Sequence, residues 1–340
     1  MKKAFSLVLV LVLVVSMMAG LGSAAYADDT VYHIRFASNE AEGSPKNLKL
    51  EIPLKEMLYE KSGGRIEMEI FSSGTLASNT EIIDALTSGI CEIAMMTPSM
   101  FQGQFPYSDL IGIPGLYYGD VYETDEVFRE YVSKFVDKPF QGQIKDCLHY
   151  SVGSCAIITT KPINSLEDLK GMTARLQSSS MAYYESLGMV GVSMSAADQY
   201  EGLKLGTIDG TITNLTGFKS RKLAEVTVGL AMVPVHQGDV CLVMSQSYFD
   251  SLPADIQAIF EETFVELYDD YSKCITEEQV EAIEDALILN PDFQVYEFSD
   301  ADLEALKEAG KAGAEAKAAE LDAMGLDGTG ALQFLRDHAK

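Results

Sequence analysis

The segment YHIRFA at residues 32–37 alternates apolar and polar side chains, which predicts a β-strand. Apolar residues at helical spacing follow from Leu48 to Lys61, and a second alternating strand runs from Arg65 to Phe71. Ser78-x-x-Glu81 has the form of a capping box that opens a helix, after which Cys91 to Met96 is a buried strand. This βαβαβ order predicts a parallel sheet with crossover helices.

A second unit of the same kind follows His149. Strands are predicted at Ala156 to Thr160, Thr173 to Leu176 and Ile208 to Thr213, with short helices between them, and a further strand at Val240 to Ser245. Helices dominate after Pro253. Two α/β halves and a helical tail in a chain of 340 residues predict two lobes around a cleft.

The N-terminus has the features of a secretory signal peptide. Two lysines precede an apolar run from Ala4 to about Met18, and the small residues that follow end in Ala25-Tyr26-Ala27. We expect cleavage after residue 27, a mature start at Asp28 and a periplasmic location; an uncleaved N-terminal anchor is the alternative. No later window has the roughly 18 apolar residues of a membrane helix.

The charge balance excludes a nucleic-acid binder. The chain has 51 acidic and 25 basic residues, a formal net charge of −26. Nucleic-acid-binding proteins need a basic face that displaces counterions. A local positive site remains compatible with this charge, because salt screens surface charges beyond about 10 Å.

Signatures of catalysis and of metal binding are missing from the sequence. It contains no G-x-S-x-G, H-E-x-x-H or P-loop motif, and only four histidines. The five cysteines form no C-x-x-C pair, so we expect no metal site and no cofactor. Buried free thiols are the expected state of the cysteines, with a disulfide as the alternative.

Arg175 is the strongest candidate for a binding residue. It lies in KGMTARL at residues 170–176, at the C-terminal end of a predicted strand. Ligands of open α/β sheets bind outside these strand ends. The planar guanidinium can pair with both oxygens of a carboxylate. The alternative is a structural salt bridge.

Other polar residues also follow predicted strands. Asn39 follows the first strand, Thr97 and Ser99 follow the strand that ends at Met96, and Thr213 and Asn214 end the strand from Ile208. Each is a suitable donor or acceptor for a ligand. Taken singly, each is also a common loop or helix-cap residue.

Six segments together resemble one family in their order along the chain. They are Glu60 to Ile66, Phe71 to Leu76, Ser88 to Ala94, Ser165 to Gly171, Gly206 to Gly210 and Ser247 to Pro253. The sequence resembles the DctP-type solute-binding subunits of TRAP transporters, which are tripartite ion-driven importers of organic acids. The resemblance implies that Arg175 clamps the substrate carboxylate and that Asn39 and residues 97–101 face the ligand.

The resemblance also implies the fold class and the lobes. We expect an α/β, two-lobed periplasmic-binding-protein fold with parallel and mixed sheets, in which hinge strands and a long helix join the lobes. Lobe I is expected to comprise residues 28–151 and about 239–279. Lobe II is expected to comprise residues 152–238 and about 280–340.

Three positions depart from the family pattern. Ser154 stands where many members have an arginine, Thr213 where asparagine is usual, and Ala196 where an aromatic residue is common. The loss of one positive charge and one ring predicts a ligand outside the usual dicarboxylates and sugar acids, such as a bulkier monocarboxylate.

The sequence therefore predicts a monomeric binding protein that is not an enzyme. It would capture a small organic acid and deliver it to TRAP membrane subunits. One alternative is a sensory module that presents the ligand to a receptor. Another is a secreted lyase or isomerase, for which Asp198 and Tyr200 are the available acid/base pair.

Overall fold

The computed structural model describes residues 30–177, 179–195 and 198–340. The predicted signal peptide (residues 1–27) and Ala196 lie outside these residues. In the part of the chain that the structure describes, no helix is long and apolar enough to span a membrane. All five cysteines are free thiols, as the sequence predicted.

Nine strands of the described residues form one mixed sheet. Its order is β2-β1-β3-β8-β4-β7-β5-β6, and β9 pairs with β8. The strands are β1 (Tyr32–Ala37), β2 (Ile66–Phe71), β3 (Ile93–Met96), β4 (Ile144–Thr159), β5 (Thr173–Arg175), β6 (Val190–Val192), β7 (Gly210–Asn214), β8 (Gly229–Ser245) and β9 (Gln294–Tyr296).

Each half of the sheet contains a parallel unit. β1 pairs parallel with β2 and β3, and β5 pairs parallel with β6 and β7. The two βαβ units predicted from the alternation of apolar residues are therefore confirmed. In both, the carboxyl ends of the strands meet at one edge, where ligand-binding residues are expected.

The two central strands are much longer than predicted. β4 has 16 residues and β8 has 17, and they pair antiparallel along most of their length. The prediction placed strands only at Ala156 to Thr160 and at Val240 to Ser245. The missed part of β4 contains Lys145, Asp146 and His149, whose polar side chains break the apolar pattern. Both strands continue from one half of the sheet into the other.

The helices cover the faces of the sheet. A π-helical turn (Asn47–Glu51) precedes the first helix. The helices are α1 (Ile52–Lys61), α2 (Ile82–Thr87), α3 (Pro106–Ile111), α4 (Val121–Lys134), α5 (Pro139–Gly142), α6 (Met181–Ser186), α7 (Gln199–Lys204), α8 (Leu215–Ser220), α9 (Gln246–Ser251), α10 (Ala254–Leu289), α11 (Asp300–Ala323) and α12 (Gly328–His338).

The predicted capping box at Ser78 forms only in part. Ser78 donates hydrogen bonds from its backbone nitrogen and its hydroxyl to the carboxylate of Glu81. The helix itself begins one residue later, at Ile82, with Glu81 as its N-cap. Ser78 therefore lies too far upstream to cap α2.

Helix α10 spans both halves of the molecule. Its 36 residues correspond to about 54 Å at 1.5 Å per residue. Phe260 and Phe264 pack into the core under β1 and β8, whereas Ala282 and Ala286 pack into the core of the second unit. The long helix across both lobes is thus as the resemblance implied.

The C-terminal helices contact both halves as well. Ala318 of α11 and Leu332 of α12 share a core with Tyr107 and Phe128, which lie on α3 and α4. Leu306, near the start of α11, belongs to the core around β5. The boundaries between lobe I and lobe II stay a prediction.

Candidate functional site

Arg175 is the last residue of β5, at the edge of the sheet that holds the carboxyl ends of three parallel strands. Arg175 is opposite Val192 of β6 and Thr211 of β7. Side chains alternate between the faces of a strand, so the fully buried Ala174 points into the core while Arg175 points the other way and is half-buried. The position at the strand end is the predicted one.

The guanidinium of Arg175 is oriented but lacks a carboxylate partner. Its Nε donates to the backbone oxygen of Met194 at 3.2 Å, just beyond β6. Burial lowers the pKa of Arg175, the charge of Arg221 lowers it further, and Cys155 acts in the opposite direction. In the described residues no carboxylate forms an ion pair with Arg175, so the predicted alternative of a structural salt bridge finds no partner there.

Arg221 is a second cation of this site, which the sequence reasoning missed. It follows α8, is half-buried, and donates from Nη1 to the hydroxyl of Thr213 at 3.3 Å. Burial lowers its pKa. The residues around it read KSRK at 219–222, which resembles a solvated basic stretch. The available signal was Gly217, four residues earlier, which leaves room for a side chain to fold back.

Thr213 and Asn214 end β7 beside the two arginines. The buried Thr213 accepts the hydrogen bond from Arg221. The side-chain oxygen of Asn214 caps α8 by accepting from the backbone nitrogen of Gly217 at 2.7 Å. The structure therefore groups Arg175, Thr213 and Asn214, although the amide oxygen of Asn214 is already engaged.

The predicted residues of the other half lie at the ends of β1 and β3. Asn39 follows β1, and its amide nitrogen is buried without a hydrogen-bond partner. Thr97 and Ser99 follow β3 and are partly exposed. Because β1 and β3 are parallel neighbours, these polar groups share one edge. No described hydrogen bond or ion pair joins them to Arg175 or Arg221.

Glu278 on α10 lies where the two halves meet. Its carboxylate accepts a hydrogen bond from the hydroxyl of Thr216 on α8 at 2.9 Å. Burial raises the pKa of Glu278, and the nearby charge of Lys46 opposes this. Lys46, just before the π-helical turn, is ion-paired with Glu40 at 2.9 Å. A charged network thus links the first half, α10 and the second half.

Ser154, where many family members have an arginine, lies on β4. It lines a cavity of about 270 Å³ with Gln237 and Gln279. Its neighbour Cys155 pairs with Asn214 across the sheet and interacts with Arg175. Arg221 supplies a second guanidinium from a different position in the fold. The monocarboxylate hypothesis stays a prediction.

Asp198 and Tyr200, the predicted acid/base pair of the enzyme alternative, have different hydrogen-bond partners. The carboxylate of Asp198 accepts from the hydroxyl of Ser195 at 2.6 Å. The hydroxyl of Tyr200 donates to Glu225 at 2.8 Å. The two side chains are thus engaged by different partners.

One cluster of metal-ligating groups occurs in the described residues. Asp146, His149 and Cys241 place ligand atoms within 4.8 Å of one another. The ring of His149, however, is hydrogen-bonded to Asp146 at 3.0 Å and to Asp239 at 2.7 Å. Burial opposes protonation, but the two carboxylates raise the pKa of His149 to about 10. A buried imidazolium between β4 and β8 accounts for this cluster.

Comparisons with known proteins indicate one family. The family "Bacterial extracellular solute-binding protein, family 7" (DctP) matches residues 36–320. The C4-dicarboxylate-binding periplasmic protein DctP of Vibrio cholerae is 26% identical over 70% of this chain and 72% of its own length. The ectoine-binding periplasmic protein TeaA of Halomonas elongata is 23% identical over 86% of this chain and 85% of its own length.

Solved structures share the fold. A TRAP solute-binding protein from Rhodoferax ferrireducens, in complex with copurified benzoate, superposes with a TM-score of 0.80. The two are 19% identical, and the match covers 91% of this chain and 97% of that one. The two-lobed α/β fold predicted from the sequence is therefore confirmed.

Proposed function

The chain belongs to the bacterial extracellular solute-binding proteins of family 7, and we propose that it captures a small organic acid through Arg175. The observation that carries the proposal is the half-buried guanidinium of Arg175 at the strand ends, which lacks a carboxylate partner in the described residues. An acidic ligand supplies that partner. No covalent chemistry is involved.

The relatives support an organic acid as the ligand class. Proteins of this family are named for binding C4-dicarboxylates and ectoine, and a structural neighbour retained benzoate during purification. This variety of ligands fits a site in which one anchoring residue is shared and the other residues around the ligand vary. For this chain the anchor is Arg175.

Binding proceeds by closure of the two lobes on the ligand. Arg175 forms a bidentate, charge-assisted pair with the carboxylate, while Thr213 and Asn214 contribute polar groups from the same lobe. Asn39, Thr97 and Ser99 approach from the other lobe as the cleft closes. The exclusion of water strengthens the pair between arginine and carboxylate, because Coulomb energy varies inversely with the dielectric constant.

The closed form is then the one that the TRAP membrane subunits accept. The mature protein acts as a monomer in the periplasm, after cleavage of the signal peptide between Ala27 and Asp28. N-terminal sequencing of the exported protein tests the cleavage. A protein that still begins at Met1 in the membrane fraction contradicts it.

Native mass spectrometry of protein purified from the periplasm tests the binding function. We expect the wild type to carry a small acid and Arg175→Ala to lose it. Arg336→Ala is the matched control, because Arg336 is ion-paired with Glu315 on the C-terminal helices. Retention of the same ligand by Arg175→Ala would remove Arg175 from the site.

A further inference from the structure

Arg175 and Arg221 are exceptional among the arginines of an acidic chain. The sequence has 51 acidic residues and only 25 basic ones. Arg35, Arg65 and Arg336 are each ion-paired with a carboxylate. Arg129 lies over the ring of Tyr268, with Asp125 near. Arg175 and Arg221 have no carboxylate partner in the described residues, although acids outnumber bases about twofold.

The fold holds Arg221 in place over the start of α8. From its position after the helix, the side chain runs back to Thr213, eight residues earlier, and passes over Gly217. A Cβ atom at Gly217 would lie 2.3 Å from Nη1 of Arg221 and 2.5 Å from the hydroxyl of Thr213. Only glycine permits this close passage.

The guanidiniums of Arg175 and Arg221 are held by acceptors on opposite sides of β5. Met194, beyond β6, accepts from Nε of Arg175, and Thr213, at the end of β7, accepts from Nη1 of Arg221. β5 lies between these two strands. Each arginine keeps further N–H groups that have no partner in the described part of the chain. Two oriented guanidiniums with free N–H donors therefore lie at the same edge of the sheet.

We propose that Arg221 is a second anion-binding residue of the cleft, and that the ligand carries two anionic groups, one on each guanidinium. This inference rests on the proposed function, in which Arg175 binds a carboxylate. A carboxylate that pairs with the fork of Arg175 uses both of its oxygens there. Arg221 then needs an anion of its own, because a half-buried charge without a counterion is costly to desolvate.

The first test compares acids that differ by one carboxylate. Succinate is compared with butyrate, and phthalate with benzoate, by calorimetric titration of the wild type and two variants. The variants are Arg221→Gln and the control Lys222→Gln, which removes the same charge from the exposed neighbouring residue. We expect the wild type and the control to prefer the dianion of at least one pair. In Arg221→Gln that preference should fall about 10- to 100-fold, the value of one hydrogen bond to a charged group.

The second test needs no knowledge of the ligand. Sodium sulfate, a dianion with several acceptor oxygens, is compared with sodium chloride at equal ionic strength in thermal unfolding. Sulfate should raise the Tm of the wild type and of Lys222→Gln more than chloride does. Arg175→Gln and Arg221→Gln should each lose most of that excess. Arg221→Lys, which retains the charge, should keep part of it.

The outcomes separate this inference from the proposed function. If Arg175→Gln loses acid binding while Arg221→Gln behaves as the wild type in both tests, the carboxylate site stands and the second anion site is wrong. If Arg175→Gln binds as well as the wild type, the proposed function itself fails. A wild type that responds equally to sulfate and chloride, with no preference for either dianion, also overturns the inference.

Discussion

The proposed function depends mainly on one side chain, Arg175. Its position could be predicted, because the strand end and the family segment before it are both visible in the sequence. The position of Arg221 beside it could not. Its proposed role depends on a side chain that folds back across Gly217 to Thr213, and spacing along the chain does not record this.

Substitution of Arg175 should abolish most of the affinity for the acid. Arg175→Ala removes the fork and leaves the ligand carboxylate desolvated, which typically costs roughly 3–5 kcal/mol. That corresponds to about two to four orders of magnitude in Kd. Arg175→Lys should recover only part of the loss, because an ammonium cannot reproduce a planar two-point contact.

Calorimetric titration measures these affinities, and circular dichroism checks the fold. The fold should survive, since Arg175 has no ion pair to lose among the described residues. Binding by Arg175→Ala within a few-fold of the wild type would contradict the assignment.

Among the helices, α8 leaves space above Gly217 that the side chain of Arg221 occupies. Gly217→Ala should not weaken the helix, because alanine is favoured over glycine in helices by about 1 kcal/mol. The added methyl group must nevertheless displace Arg221 or Thr213. We therefore expect unchanged or higher thermal stability together with weaker binding of the acid.

Gly313→Ala in α11 is the matched control, since its new methyl group would meet only Ile113, at 3.7 Å. Thermal unfolding measures the stability of both variants, and calorimetric titration measures their affinity for the acid. Equal affinities of the two variants would show that the arrangement of Arg221 and Thr213 does not matter for binding.

The strands β4 and β8 are held together by the buried imidazolium of His149. Its pKa is about 10 in the folded protein, against about 6.5 for an unfolded histidine. The stabilisation is therefore fully present below about pH 6.5 and is lost as the pH rises to about 10. His149→Gln leaves Asp146 and Asp239 without their cation and should cost roughly 3–5 kcal/mol near pH 6.

Urea unfolding at pH 6, 8 and 10 measures this dependence. The difference in stability between the wild type and His149→Gln should narrow as the pH increases. His33→Gln serves as the control, because the side chain of His33 is 76% exposed and its ion pair is with Glu67 on the surface. A difference that is constant across the pH range would mean that His149 is neutral in the folded protein.

The lengths of β4 and β8 show where the prediction of elements fails. β1, β2 and β3 alternate or are wholly apolar, so their bounds could be read from the sequence. The first half of β4 places Asp146 and His149 inside the molecule, where Asp239, ninety residues away, completes their hydrogen bonds. Because these polar groups find their partners far away in the sequence, a local pattern of apolar residues cannot indicate that the strand is buried.

At the scale of the whole molecule, one sheet runs through both lobes. The sequence predicted two α/β units, and each is present. Their connection through a continuous β4–β8 pair depends on the unrecognised strand halves, so it could come only from the resemblance. β4, β8 and α10 cross from one half of the molecule to the other, so a hinge between the lobes would lie at this crossing.

The backbone at this crossing suits a change of direction. The register between β4 and β8 shifts between Ser151 and Cys155, and Gly153 has a φ of 80°. A Cβ atom at Gly153 would lie 2.4 Å from the side chain of Gln279 on α10, so the strand and the helix are in close contact there. Irregular pairing bends a strand locally and leaves the ladders on both sides intact.

Ligand binding should therefore change the overall dimensions without changing the secondary structure. In the proposed function, Arg175 holds the acid from one lobe and Asn39 and its neighbours hold it from the other, so the closed form has a favourable contact that the open form lacks. Small-angle X-ray scattering of the ligand-free mature protein, titrated with its acid, should show a fall in the radius of gyration. Arg175→Ala should show no fall at the same concentrations, because it loses the differential affinity that drives closure. A wild type that binds the acid at full occupancy with an unchanged radius of gyration would show that capture proceeds without closure of the lobes.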